Sequence, residues 1–255
     1  MMTGLWKLTW VEIKVFMREP MGVISMLGVP VLIFLLLGRR FGRALSVTSD
    51  QSAPAVDATQ AAPFNIAILA VLVIALGAVL SLITIITIYR EGGILKRLRA
   101  TPLSPLTILG AHVLVKLIFT VAGLGLLVLA GRRFLPGAID VNLWSFTPAL
   151  LLGTLSIISV GFVISSIVPT ARFAQPIGAA FLYPMLALSG LFFSIDALPL
   201  SLRIVANMLP TTHAVALMQG IWDGAGWGAH WVNVFGLVAV FVVCSVVSTR
   251  VFRWE

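Results

Sequence analysis

The chain has 255 residues, a formal net charge of +8, 60% hydrophobic side chains and only 10% charged ones. Its mean hydropathy is +1.09. Soluble domains carry about 25% charged residues, so this is an integral membrane protein with no length left for a soluble catalytic domain. The basic excess reads as loop charge that sets orientation rather than as a nucleic-acid surface, and the single cysteine, Cys244, excludes a disulfide framework or a cysteine metal site.

Residues 1–19 predict an amphipathic interfacial helix. Trp6, Trp10, Ile13 and Met17 recur at helical spacing, beside a stripe of Lys7, Lys14 and Arg18 that can reach lipid phosphates. The helix serves either as an anchor for the first span or as a lever packed beside a cytoplasmic partner. No small-residue cleavage site follows the first apolar run, so no signal peptide is expected.

A bilayer crossing takes about 20 apolar residues, and six runs are expected to span: 20–37, 64–88, 107–130, 144–168, 176–195 and 231–249. An even number places both termini on one side. With the N-terminus inside, the cytoplasmic segments hold Lys7, Lys14, Arg18, Arg90, Lys96, Arg97, Arg99, Arg172, Arg250 and Arg253. The outer segments hold only Arg39, Arg40, Arg43, Arg132, Arg133 and Arg203. That bias favours cytoplasmic termini. Every tryptophan falls at or just beyond a proposed span end, as an interfacial belt requires.

Residues 38–63 are rich in Ala, Ser, Thr, Gln and Pro and read as a flexible external loop. The connection from Tyr89 to Leu109 differs in kind. Glu91, Leu95 and Leu98 share one face of a short helix over 90–100, with Lys96, Arg97 and Arg99 spread around the others. Gly92 and Gly93 loosen its start, Thr101-Pro102 ends it, and Ser104-Pro105 opens the next span. Orientation alone explains the charges but not a capped helix; a docking face for a cytoplasmic partner explains both.

Lys116 is the only formal charge within any of the six runs, one helical turn beyond His112. A charge at the bilayer centre costs about 2.5–3.5 kcal/mol on insertion scales, so Lys116 snorkels, pairs, or lines a pathway with His112. Pro30, Pro176 and Pro184 either kink their spans or allow the bending needed for opening, and Gly77/Ser81 and Gly161/Ser165 are small-residue pairs that permit close helix approach. His213 and His230 are too isolated for a metal site, and the absence of a His-Glu-x-x-His motif or an intramembrane acid pair argues against a membrane protease or a proton-driven pump. Residues 196–230 are too apolar for a free loop and too interrupted for a span. They predict two short helices in or dipping into the outer leaflet, broken at Pro210. No internal repeat supports an inverted-repeat carrier.

The run from Arg90-Glu91-Gly92-Gly93 through Leu95-Lys96-Arg97-Leu98-Arg99 to Thr101-Pro102-Leu103-Ser104 resembles the cytoplasmic signature of ABC-2 type transporter permeases. Ser189-Gly190-Leu191-Phe192 onward to Pro199, followed by Leu209-Pro210-Thr211-Thr212-His213, is similar to the segment after the fifth span in drug, lipid and polysaccharide exporters. Lys96 stands where that family often has Glu, and Ser194 where it often has Pro. The order of elements matches over nearly the whole chain.

The resemblance implies one all-α polytopic transmembrane domain over 1–255: six spans, the N-terminal interfacial helix, and two short external re-entrant helices between spans five and six. Glu91, Leu95, Lys96, Arg97, Leu98 and Arg99 would form a coupling helix seated on a separate ATP-binding cassette ATPase, and Leu209, Pro210 and His213 an external gate region. One coupling helix per chain implies two permease chains, identical or not, with two ATPase chains in a bacterial-type inner membrane. The substrate would be a hydrophobic drug, a lipid or a glycan. No G-x-x-x-x-G-K-[ST] phosphate loop occurs, so ATP and magnesium belong to the partner and this chain is expected to bind no cofactor and to be no enzyme itself. The rival reading is an ATPase-independent secondary carrier or a membrane scaffold. A carrier would be expected to hold an ion-coupling acid within a span, and none is seen.

Overall fold

The computed structural model describes residues 2–18, 20–37, 65–93, 105–134, 142–192 and 194–251. The expected external loop and most of the expected coupling helix, including Leu95, Lys96, Arg97, Leu98 and Arg99, lie outside them. Among the described residues all regular structure is helical. In chain order the helices are α1 (Met2–Met17), α2 (20–37), α3 (Ile66–Glu91), α4 (Pro105–Phe134), α5 (Leu143–Ile167) and α6 (Ala171–Ala187). After a 3₁₀ turn at Ile195–Ala197 come α7 (Leu200–Met208), α8 (Pro210–Trp222), α9 (Gly226–Ala229) and α10 (Trp231–Val251).

Four of these helices are long and apolar enough to cross a membrane: Ile68–Glu91, Thr107–Phe134, Leu143–Ile167 and Trp231–Ser248. The first and fifth expected spans are less regular. Helix α2 contains a π-helical segment, Ile24–Gly28, and its apolar helical stretch, Met26–Leu37, is shorter. The expected span 176–195 is corrected to a 17-residue helix, Ala171–Ala187. The apolar composition continues past Ala187, but the backbone leaves helical geometry at Ser189 and turns at Gly190, whose φ of 84° suits a residue without a Cβ.

Helix α3 is the central element. Of its most apolar window 67% is buried inside the protein, against 11% for α10, so α3 is a core helix and α10 a peripheral one. Ile68, Leu72, Leu82, Ile83 and Ile86 of α3 pack among Phe146, Leu150 and Ile157 of α5 and Leu182 of α6. Close approach of α3 and α5 depends on Gly161, where a Cβ would stand 2.6 Å from Val79 Cγ1. Gly161→Val should therefore destabilise the bundle by about 1–3 kcal/mol through overpacking. A thermal midpoint in detergent equal to that of the wild type would show that the two helices do not meet there. The other small pair behaves differently: Gly77 and Ser81 border a cavity.

In helix α1, three residues of the expected apolar face, Trp6, Trp10 and Met17, are exposed, where an interfacial helix meets lipid, while the fourth, Ile13, turns inward. The stripe turned toward the protein is Thr9, Glu12, Ile13 and Phe16. Leu5 approaches Gly110, and Phe16 lies 4.4 Å from Phe119 by ring centroids, so α1 runs alongside α4 for over two turns. The tryptophan belt is also partial: Trp144 and Trp231 are exposed, whereas Trp222 stacks edge-on against Phe146 at 5.8 Å.

Candidate functional site

Three helices converge on a buried polar cluster. Helical spacing puts His112 and Lys116 on one face of α4, α3 presents Ser81 and Tyr89, and α1 presents Glu12 and Phe16. Lys116 is only 4% exposed. Its Nζ donates to Ser81 Oγ at 2.8 Å and sits 4.9 Å from the Phe16 ring centroid. A cation over an aromatic face is favourable, the more so when desolvated. Lys116 is thus paired inside the protein and does not snorkel.

Beside it, Glu12 Oε2 lies 3.7 Å from His112 Nδ1, with the Tyr89 hydroxyl acting on the Glu12 carboxylate. The Tyr89 and His112 rings meet edge-on at 5.4 Å. His112 Nε2 is buried without a hydrogen-bond partner. Burial pushes the Glu12 carboxyl above its ordinary value of 4.5, and Lys116 and Tyr89 pull it partly back. The folded chain then holds this proton more tightly than the unfolded one. Glu12's own contribution to seating α1 on α4 is therefore fully present below pH 4.5 and is lost as pH rises through the raised value.

The cluster edges a cavity of about 480 Å³, bordered by Phe16, Met26, Ser81, His112, Lys116 and Tyr183. That volume falls within the usual range for small-molecule pockets. Apolar walls with a few convergent polar groups can hold the body of an amphiphile and orient its polar end. Sequence reasoning found Lys116 and His112 but missed Glu12, Tyr89 and Ser81. The available signal was Glu12, an acid at helical spacing from Thr9 and Phe16 in an otherwise apolar and basic helix.

At the far end of α3, Glu91, expected on the docking face, is the last residue of the helix, and its Oε2 accepts from the Ala171 N–H at 2.7 Å. Arg90 beside it donates through Nη1 to the Ser165 and Ser166 carbonyls, each at 3.0 Å, and through Nη2 to the carbonyl of Val168.

The family model for ABC-2 type transporters matches residues 3–222. The chain belongs to the ABC-2 type transporter family. This ABC-2 chain is accordingly a multi-pass membrane protein of a transport family, one generally paired with an ATP-binding cassette ATPase. It is also similar to Nodulation protein J of Rhizobium leguminosarum bv. viciae, with 27% identity over 106 residues. That match covers 42% of this chain and 41% of that protein, so less than half of either.

The expected gate residues of the ABC-2 chain sit where α7 meets α8. Leu209 is the N-cap of α8 and Pro210 its first residue, where a missing N–H costs nothing. Thr211 Oγ1 donates to the Met185 carbonyl at 2.7 Å, tying α8 to α6. His213 Nδ1 lies 3.0 Å from Asn233 Oδ1, and His213 Nε2 lies 3.0 Å from the Asn207 carbonyl oxygen, joining α7, α8 and α10. The two helices differ sharply. Helix α8 buries most of its length, Val215 and Leu217 included, whereas α7 buries only Ala206.

Proposed function

We propose that the chain is the membrane subunit of an ATP-driven exporter, working as a pair of permease chains with two ATP-binding cassette ATPase chains. The observation that carries this reading is the family match over 3–222, with the Arg90–Ser104 signature inside it. In this reading α2 and α6 complete six crossings, α1 rests at the inner interface, and both termini face the cytoplasm. The expected helix over 90–100 acts as the coupling helix, with Leu95 and Leu98 as its apolar contact and Lys96, Arg97 and Arg99 setting register. ATP and magnesium act on the partner. The substrate is an amphiphile of drug, lipid or glycan type, moved outward from the cytoplasm or inner leaflet, with Lys116 and His112 lining its route through the cavity of α1, α3 and α4. Purified alone, the chain should hydrolyse no ATP; hydrolysis should appear only with the ATPase and vanish when the ATPase phosphate-loop lysine is replaced. Robust hydrolysis by this chain alone would overturn the reading.

Helices α7 and α8 form the outer pair near the exit. Cysteines at Ile204, Val205 and Val215, in a Cys244→Ser background, should all resist water-soluble thiol reagents, for two different reasons. Val215 is 1% exposed and shielded by protein. Ile204 and Val205 are about half exposed, and in this reading lipid shields them. Fast labelling at 204 and 205 from outside would place α7 in water, and labelling from the cytoplasm alone would invert the topology.

A further inference from the structure

Two adjacent residues at the end of α3 hold the facing ends of two other helices. The Arg90 guanidinium reaches the carbonyls of Ser165, Ser166, Val168 and, at 3.5 Å, Pro169, which are the last acceptors of α5 and the turn after it. The Glu91 carboxylate takes the N–H of Ala171, the first residue of α6. Each charge suits the end it meets, because a helix C-terminus carries partial negative charge and an N-terminus partial positive charge. Thr170, at the N-cap of α6, makes no side-chain capping bond of its own. Arg90 uses its fork to serve several carbonyls at once, a geometry a lysine cannot copy.

We propose that Arg90 and Glu91 form a clamp fixing the α5–α6 turn, residues 168–171, to the end of α3, so that a displacement entering at Gly92 moves α5 and α6 with it. The proposal rests on the exporter reading for the origin of that displacement, since Gly92 and Gly93 lead directly into the segment read as the coupling helix. It assigns Arg90 and Glu91 as positioning residues that transmit movement inside the permease, and removes Glu91 from the surface that grips the ATPase. Without the clamp, the loosely built Gly92-Gly93 turn, where Gly93 has a φ of 62°, would let the coupling segment swing without consequence for the pathway helices. Tyr183 of α6 borders the cavity that holds Lys116, so a shift of α6 alters that cavity directly.

The test places spin labels at Gly92→Cys and Arg172→Cys in a Cys244→Ser permease, measured in lipid nanodiscs. With the ATPase bound, one narrow distance should appear and stay the same in nucleotide-free and ATP-trapped complexes. A distance that changes between those states would overturn the clamp. Arg90→Gln should broaden the distribution, with the clamped share falling at least about tenfold relative to released forms, the factor that one hydrogen bond to a charged group supplies. Glu91→Ala should broaden it as well, while Glu91→Gln, which keeps a carbonyl acceptor for Ala171, should restore the narrow distance. A distance that stays narrow in both Arg90→Gln and Glu91→Ala would overturn the proposal. Both variants should still co-purify the ATPase; loss of co-purification with unchanged membrane yield would make them docking residues instead. The narrow distance and its broadening are readable on the permease alone, so failure to bind any ATPase would sink the exporter reading without deciding the clamp.

Discussion

Lys116→Met should cut transport by about tenfold or more while lowering the thermal midpoint only modestly. The ammonium lies between α4 and α3, with Ser81 Oγ at 2.8 Å and the Phe16 ring beneath it. Methionine keeps the stem's volume and removes a charge whose burial is costly, so relief of desolvation offsets much of the lost hydrogen bond, which is worth about 1.5–3 kcal/mol when charged. Stability therefore changes little. Function changes more, because the only charge within the six apolar runs leaves the cavity and Glu12 loses the cation that favours its ionised form. Lys116→Arg should retain the charge but overfill the site. Wild-type export by the Met variant, assayed beside its melting curve, would reduce Lys116 to a packing residue.

Leu95→Asp or Leu98→Asp should abolish ATP-coupled transport and leave membrane insertion intact. Burying an unpaired carboxylate in an apolar groove costs several kcal/mol. A coupling contact of ordinary strength, about 1–3 kcal/mol, does not survive that loss. The matching control is Arg90→Gln, which should keep the ATPase bound. Normal co-purification and normal transport in both Asp variants would rule out this docking face.

The helical class and most helix positions were legible because lipid leaves the chain few options. Backbone groups must be satisfied within a segment, so long apolar runs became α3, α4, α5 and α10 within a few residues of the expected ends. Composition failed at 176–195, where apolarity persists but Ser189-Gly190 ends the helix after Ala187. On α1 it was silent about the inward stripe, since Trp and Met suit lipid as well as protein, and periodicity cannot say which of two stripes turns inward. The outward stripe is Trp6, Trp10 and Met17, and the inward one holds Glu12 and Phe16.

The candidate site divides the same way. Lys116 and His112 stood out because a charge in a span needs a reason. Their partners did not, since Ser81 and Tyr89 are ordinary residues of α3 and Glu12 lies about a hundred residues upstream of them in sequence. The Arg90 and Glu91 contacts join residues 75 to 80 positions apart. A local reading could assign these two only to the segment that follows them, and could not see the contacts they make with α5 and α6.

The central claim, that this ABC-2 chain works as half of a permease pair driven by a separate ATPase, is tested most directly by native mass measurement of the assembly purified from cell membranes through a tag on this chain. The account predicts two permease-sized chains with two ATP-binding cassette ATPase chains, and loss of the ATPase chains alone when Leu95 or Leu98 is replaced by Asp. A transport-competent particle containing this chain and no ATPase would contradict it.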